Sequence, residues 1–560
     1  MSLNFLPPTL RRHLSASLLS LLLLSTGFAR QQQLTTPAPK PTLTAEEQAL
    51  GVSVKGETIK EVVSALSAEE MQGRGTTQAG GDKAASYIAD RFARLGLKPL
   101  GNKDSYLQSV KFRETQFLPE TSFKVGEDIL KLGRDFIVTP PYNGDRSVSG
   151  DLIFVAFGLT STTPRRNDLA GIAVKGRVVV LLEGPPKIVN KESWKTAKAQ
   201  LSILRTLIME QAAALVFVNT GTEEHPYSEM ADYLTRRQIQ RADKEEAPSF
   251  LPPFITLSNE AAARLFSDSG STFTEALTKA ETESFKPFSL KRSATITVRV
   301  KKAKGTSNNV VALLEGSDQK LKVEALVYTA HYDAFGVSAD NRVYHGAADN
   351  GLGVGEMLAV AEAFSKLAMR PRRSIIFLAV TGEEYGGYGS DYWVNNPTWK
   401  IKQVAADLNF DGMGTEVYGP VKTLVGYGAE HSTLGTLLKT VATAQNLIVI
   451  PDPMPEEKSF YRSDHYFFVK KGVPGLMILG APAGEVSAWS RRMKEWEKTD
   501  YHQPTDIIRP DWDWEGPHTL AVLGAVMGMR IANSEEMPSW LPQSPFNRER
   551  GTNEAPPPEP

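Results

Sequence analysis

The sequence predicts an α/β protein, a sheet flanked by helices, preceded by a separate strand-rich segment. Three observations carry that expectation. Residues 291–535 alternate strand-like apolar runs with amphipathic helical ones, the pattern of a sheet covered by helices on both faces. Residues 118–290 open with several strand-like runs and carry almost no clustered chemistry. At 560 residues the chain is too long for one compact core, so two or more domains are expected.

Taken in order, residues 1–29 read as a signal peptide. Arg11 and Arg12 precede a Leu-rich run from Leu14 to Phe28, closed by the small-x-small pattern Gly27-Phe28-Ala29. The run is shorter than the about 20 residues needed to span a bilayer. Cleavage is therefore expected, with no membrane span left afterwards and a bacterial-type periplasmic or extracellular location. Residues 30–45, Gln-rich and then Thr/Pro-rich, read as a linker. Residues 46–117 form a first, helical block, in which Ala84, Tyr87, Ile88, Phe92 and Leu95 recur at 3.6-residue spacing and Gly96 stands at the helix end.

Within 118–290, strands are expected at 151–157, 177–182 and 214–218, with a helical stretch over 194–212. Within 291–535, strands are expected at 294–300, 309–314, 325–330, 374–380, 405–410 and 476–479, and helices at 353–367, 431–445 and 519–531. Residues 536–560 end in a Pro-rich stretch that cannot bury a core, and disorder is expected there.

Composition narrows the chemistry. A net charge of -1 and the absence of a large basic block give no reason to expect a nucleic-acid partner. There is no cysteine, so a disulfide framework is excluded and any metal must be held by nitrogen and oxygen.

Such ligands are grouped in the last block. His331-Tyr332-Asp333, Ala348-Asp349-Asn350-Gly351, Thr381-Gly382-Glu383-Glu384, Asn409-Phe410-Asp411-Gly412 and Tyr501-His502-Gln503-Pro504 stand beside strand-like or loop segments. Singly, each reads as a turn, a helix cap or a solvated acidic pair. Together they meet the needs of a hydrolytic metal site: carboxylates and imidazoles as ligands, and a base that is not itself a ligand. Asp333, two residues from His331, can hold the imidazole's second N–H. Asp349 has two oxygens and can bridge two ions, and one of Glu383 and Glu384 can bind metal while the other faces water. Asp411 and His502 complete two three-ligand sets.

In order, His331-x-Asp333, Asp349-Asn350-Gly351, Gly382-Glu383-Glu384, Asn409-x-Asp411, Ser463-Asp464-His465 and Tyr501-His502-x-Pro504-x-Asp506 resemble the motifs of the M28 family of zinc-dependent metallopeptidases. Gln72-Gly73-Arg74-Gly75 is similar to the family's lead-in. Asp168-Leu169-Ala170-Gly171 and Lys175-Gly176-Arg177-Val178-Val179-Val180 resemble a protease-associated (PA) domain. The resemblance implies a zinc-exopeptidase-like mixed sheet flanked by helices, with 46–117 and 291–535 as its two parts and 118–290 as an inserted PA domain.

It further implies two Zn2+ per chain, one held by His331, Asp349 and Asp411 and the other by Asp349, Glu384 and His502. Glu383 would be the general base, Asp333 the support of His331, Tyr501 a donor to the oxyanion, and Arg462 a substrate-binding residue. The implied activity is release of N-terminal residues from peptides by an exported aminopeptidase. The alternatives are a carboxypeptidase of the glutamate-carboxypeptidase type, a cyclising transferase, and a non-catalytic receptor-like protein. The intact double ligand set and Glu383 speak against the last two.

Overall fold

The computed structural model describes residues 40–557, except 141–143, 163–164, 191–193, 195–198, 221–225, 247, 249, 413 and 483–485. The expected signal peptide and all but the end of the expected linker fall outside the described residues. Thr44 already closes that linker: its hydroxyl accepts from Glu47 N, and the Glu47 carboxylate accepts from Thr44 N, so a capping box starts the helix Ala45–Ser53.

The middle of the central sheet is built from strands that are buried along their whole length. Ala325–His331 and Ser374–Val380 are buried at every position, as strands covered on both faces must be. They pair in parallel, and Val404–Asn409 continues the parallel set on the other side of Ala325–His331. Outward from these, the ten-stranded sheet runs through Val300–Leu314, Leu107–Phe117 and Gln238–Arg241 on one side. On the other it runs through Gly475–Pro482, Val421–Tyr427 and Ile448–Ile450. Both directions contain antiparallel pairs, so the sheet is mixed.

Aromatic rings from neighbouring strands tie its middle together. Tyr328 stacks between Phe377, at 5.5 Å, and Phe410, at 5.8 Å, with interplanar angles of 5° and 8°. Its hydroxyl donates to Gly524 O at 2.9 Å, which satisfies the one polar atom of a buried ring. The long helix Glu515–Asn533 can come this close because Gly528 faces the ring: a Cβ there would lie 1.7 Å from the Tyr328 hydroxyl. The helix Gly353–Ser365 is buried along nearly its full length against the same core.

A second sheet of eight strands runs in the order Asp128–Leu130, Ser122–Val125, Phe288–Val298, Arg146–Phe154, Val178–Leu182, Ala214–Val218, Phe254–Leu257 and Phe136–Thr139. It has its own apolar core, and both sheets lie in one compact unit, Pro41–Pro560. Phe288–Val298 pairs with Ser122–Val125 and Arg146–Phe154, so the second sheet extends past residue 290. The expected strand at 294–300 lies there as far as Val298, and Val300 already opens the central strand Val300–Leu314. Conversely, Gln238–Arg241 leaves this segment and pairs with Leu107–Phe117 of the central sheet.

The expected disorder of 536–560 is corrected over its described part. Phe546 is buried beside Tyr466 and Trp489, and Trp540 Nε1 donates to Gly472 O at 3.0 Å. Arg550 donates to Val404 O and Ala405 O, both at 3.1 Å. Two aromatic anchors and two arginines, Arg548 donating to Lys470 O at 3.1 Å besides Arg550, hold a stretch whose composition is otherwise that of a loose tail.

In the second sheet a buried ion pair organises the loop after Arg146–Phe154. Asp168 accepts from Arg166 Nε at 2.5 Å and from the backbone of Phe157 and Leu159 at 3.2 and 3.0 Å. Both charged side chains are fully buried. Asp168→Ala would leave the Arg166 charge unpaired, at a cost of about 3–5 kcal/mol. Chemical denaturation of the variant is expected to show that loss.

Candidate metal centre

The acidic and imidazole side chains gather where the central strands end. His331 is the last residue of Ala325–His331, Glu383 and Glu384 follow Ser374–Val380, and Asp411 follows Val404–Asn409. Asp349 precedes the helix Gly353–Ser365, and its peptide bond to Asn350 is cis. His502 comes from the loop after the helix Val486–Thr499. Strand ends of an α/β sheet are where loops open a crevice, and this site uses them.

Two three-residue groups result, His331 with Asp349 and Asp411, and Asp349 with Glu384 and His502. Asp349 belongs to both and offers one oxygen to each: Oδ1 lies 3.1 Å from His331 Nε2, and Oδ2 lies 3.4 Å from His502 Nε2. Asp411 Oδ1 is 3.3 Å from His331 Nε2, and Glu384 Oε2 is 3.0 Å from His502 Nε2. Glu383 stands outside both groups, with Oε2 at 3.9 Å from His331 Nε2.

Supports behind the ligands fix their directions. Ser463 Oγ donates to Asp411 Oδ2 at 2.5 Å and accepts from Asn409 Nδ2 at 2.6 Å. Asp506 accepts from the backbone N–H groups of Ala348 and Asp349 at 2.8 and 3.0 Å. Asn350 Oδ1 accepts from Gly353 N and Gly412 N, both at 2.9 Å, and so joins the Asp349 and Asp411 loops. Asp333 supports His331 differently from expectation. Its backbone carbonyl lies 3.2 Å from Nδ1, while its carboxylate, 3.9 Å away, accepts from Glu383 N and Thr76 Oγ1. The carboxylate thereby positions the Glu383 backbone.

Tyr501 stacks on the His502 ring at 3.6 Å and 26°, and its hydroxyl lies 3.5 Å from Arg462 Nη2. Burial holds that hydroxyl well above the usual phenol range, so it stays a proton donor. Arg74, in the lead-in motif but given no role there, proves central. Its buried guanidinium donates to Tyr332 O at 2.6 Å and Gly346 O at 2.7 Å, pinning the backbone beside His331 and before Asp349. Of the remaining histidines, His465 is buried among aromatic rings, where burial lowers its pKa to about 3.

The charge balance calls for a cation. Burial, helped by Asp464, Asp411 and Glu384, outweighs His331 and raises Glu383 well above the carboxylate range. Burial and the Asp349 charge raise Glu384 to about 7, against the pull of His502. Asp349 is held well below its ordinary range, since the hydrogen bonds and charge of His331 and His502 outweigh its burial. For the imidazoles, burial lowers the pKa but the carboxylates prevail: Asp411 and Glu383 raise His331 well above its usual value, and Glu384 and Asp349 raise His502 to about 9. The carboxylates thus favour the protonated form of both imidazoles, and a divalent cation fits each of the two ligand groups. An all-nitrogen-and-oxygen set of His, Asp and Glu suits zinc.

The chain is similar to known proteins in sequence and in fold. Residues 309–526 match the model of Peptidase family M28. A vacuolar membrane protease of Clavispora lusitaniae is 40% identical over 108 residues, covering 19% of this chain and 10% of that protein. A vacuolar membrane protease of Candida albicans (strain WO-1) is 38% identical over 136 residues, covering 23% of this chain and 15% of that protein. Each match therefore spans a small part of its curated relative. Among solved structures, an aminopeptidase from Aneurinibacillus sp. strain AM-1 aligns with a TM-score of 0.57 and 17% identity, over 88% of this chain and 97% of that one. A zinc aminopeptidase from Bacillus subtilis aligns with a TM-score of 0.51 and 17% identity, over 86% and 96%. These two share the fold.

The yeast relatives correct the expected location. They are named for a vacuolar membrane, not for a bacterial periplasm or an extracellular space. The expectation rests on a basic pair before a Leu-rich run, a pattern that does not by itself specify a compartment. Among the described residues, no helix is long and apolar enough to cross a membrane.

Ser463 offers a test of the supporting network that needs no substrate. Ser463→Ala leaves Asn409 Nδ2 without its acceptor and Asp411 Oδ2 without its donor in a buried setting, at a cost of about 1–3 kcal/mol. Equilibrium denaturation of metal-free protein is expected to show it.

Proposed function

We propose that this chain, which belongs to Peptidase family M28 through residues 309–526, is a two-zinc aminopeptidase acting on the N-termini of peptides. The observation that carries the proposal is the pair of ligand groups sharing Asp349, with Glu383 beside them and in neither. His331, Asp349 and Asp411 would hold one ion, and Asp349, Glu384 and His502 the other. When bound, such a pair polarises the scissile carbonyl and makes water nucleophilic at neutral pH.

The chain's own residues do the rest. Glu383 accepts the proton of the attacking water and returns it to the departing amine. Asp333 keeps Glu383 in place through the backbone bond to Glu383 N. Tyr501, kept protonated by burial, donates to the oxygen that gains negative charge as the carbonyl becomes tetrahedral. Arg462, 3.5 Å from that hydroxyl, orients Tyr501 and contacts substrate. The surplus of carboxylates beside the site favours a substrate end that is positively charged, as a free α-ammonium is. The segment around the second sheet serves as a PA-type insertion that shapes access to the cleft.

Mutation separates the roles of the paired glutamates. Glu383→Gln is expected to retain two zinc ions per chain by mass analysis while kcat falls by about 10²–10⁴-fold. Glu384→Gln is expected to lose or weaken one ion. The reverse pattern would exchange the two roles, and full activity in thoroughly demetallated protein would remove zinc from the reaction altogether.

The direction of attack is settled by blocking one substrate end at a time. Leucyl and alanyl anilides are expected to be cleaved, acetylation of their amine to suppress cleavage, and amidation of a peptide's C-terminus to have no effect. Activity that ignores the amine but needs a free C-terminal carboxylate would make the protein a carboxypeptidase with Arg462 as its anion-binding residue.

A further inference from the structure

Arg236 and Arg237 belong to none of the metal-site motifs, yet they reach both ligand groups. They stand between the helix Tyr227–Thr235 and the strand Gln238–Arg241, the excursion that carries the inserted segment onto the central sheet. Arg236 Nη2 donates to the backbone carbonyl of His502 at 2.7 Å and pairs with Asp232. The face of its guanidinium lies against the rings of Phe335, at 4.2 Å, and Tyr344, at 4.3 Å. A planar cation on aromatic rings with a hydrogen bond at its edge is an arrangement that lysine cannot reproduce.

The residue it holds needs holding. His502 has φ of +59°, a left-handed conformation that non-glycine residues adopt uncommonly. Its ring is wedged between the face of Tyr501 and Phe335, whose centroid is 4.8 Å away. Arg236 thus fixes the carbonyl of His502 and also backs the ring that His502 leans on.

Arg237 acts on the other histidine through two intermediaries. Its Nη2 donates to Thr76 O at 3.0 Å, and its Nη1 donates to Thr77 Oγ1 and Glu114 at 3.1 and 2.7 Å. Thr76 Oγ1 donates to Asp333 Oδ2 at 3.1 Å, and the Asp333 carbonyl faces His331 Nδ1 at 3.2 Å.

We propose that Arg236 and Arg237 form a positioning clasp through which the inserted segment holds each histidine in its ligating pose, so that each arginine sets the affinity of one metal ion. The clasp rests on the two-ion reading above. Neither arginine touches substrate or reacting atoms. Both act on metal affinity through the residues that orient ligands, where a lost partner typically costs 10–100-fold.

The test is zinc alone, titrated by calorimetry into the full chain after chelator stripping, with melting of the metal-free protein measured alongside. Wild type is expected to give two dissociation constants. Arg236→Met should raise one of them by about 10–100-fold and leave the other unchanged. Arg237→Met should raise the other, and the double variant both. Arg236→Lys should recover part of the loss. If Arg236→Met fails to fold, Arg236→Lys and Asp232→Asn take its place, each with a smaller shift in the same constant. Wild-type constants in the variants, or equal weakening of both ions together with a lower melting temperature of the metal-free protein, would overturn the clasp and leave the metal reading intact. A wild-type protein that binds no zinc would overturn both.

Discussion

Carboxylates in a buried space repel one another, and the arrangement of this molecule answers that repulsion. Asp349, Glu383, Glu384 and Asp411 converge at the ends of adjacent strands, with His331 and His502 between them. Removing charge from water is costly, so such a group persists only if cations or protons neutralise it and if every remaining oxygen is directed by a donor. The second condition is met at Asp411 by Ser463, while the loops that carry Asp349 and Glu383 are held through their backbone N–H groups by Asp506 and Asp333. The first is served by His331 and His502, whose protonated forms the surrounding carboxylates favour, and a divalent ion can serve it in each of the two ligand groups.

A group of this kind needs a frame that does not yield. The parallel strands at its base are buried on both faces, and the Phe377, Tyr328 and Phe410 rings run as a continuous stack across three of them. A ligand at a strand end inherits the stiffness of that strand. His331 has this advantage directly. His502 does not, since it sits in a loop with a left-handed backbone, and rings and a guanidinium from elsewhere in the chain supply the rigidity that its own segment lacks.

Much of this was legible in the sequence, for physical reasons. The central strands are unbroken apolar runs, which sets them apart from amphipathic edges, and the residues of the site are acids and imidazoles abutting those runs. His331, Asp349, Glu384, Asp411 and His502 come together as two groups, and the mixed α/β sheet is present. Less legible were features set by pairing rather than by local pattern. The strand Phe288–Val298 looks no different from its neighbour Val300–Leu314, and only its partners assign it to the second sheet. Residues 536–557 carry few apolar side chains, but Trp540 and Phe546 suffice to dock them. Arg74 stood in a recognisable motif, but its four backbone acceptors come from loops that no local spacing could bring together. Arg236 and Arg237 were unmarked altogether, because two adjacent arginines in a charged stretch read as solvated surface.

The edges of the central sheet have a further consequence. An outermost strand offers unpaired N–H and C=O groups to any other chain, and natural sheets keep such strands short or covered. At one margin this protein ends in Ile448–Ile450, three residues long. At the other, Leu107–Phe117 is eleven residues long, and Gln238–Arg241 lies along its outer side from Phe112 to Thr115. Gln238–Arg241 therefore serves as an edge guard over that part of the strand. A chain from which it had been excised would expose a long, regular ribbon, prone to self-association whatever the state of its active site.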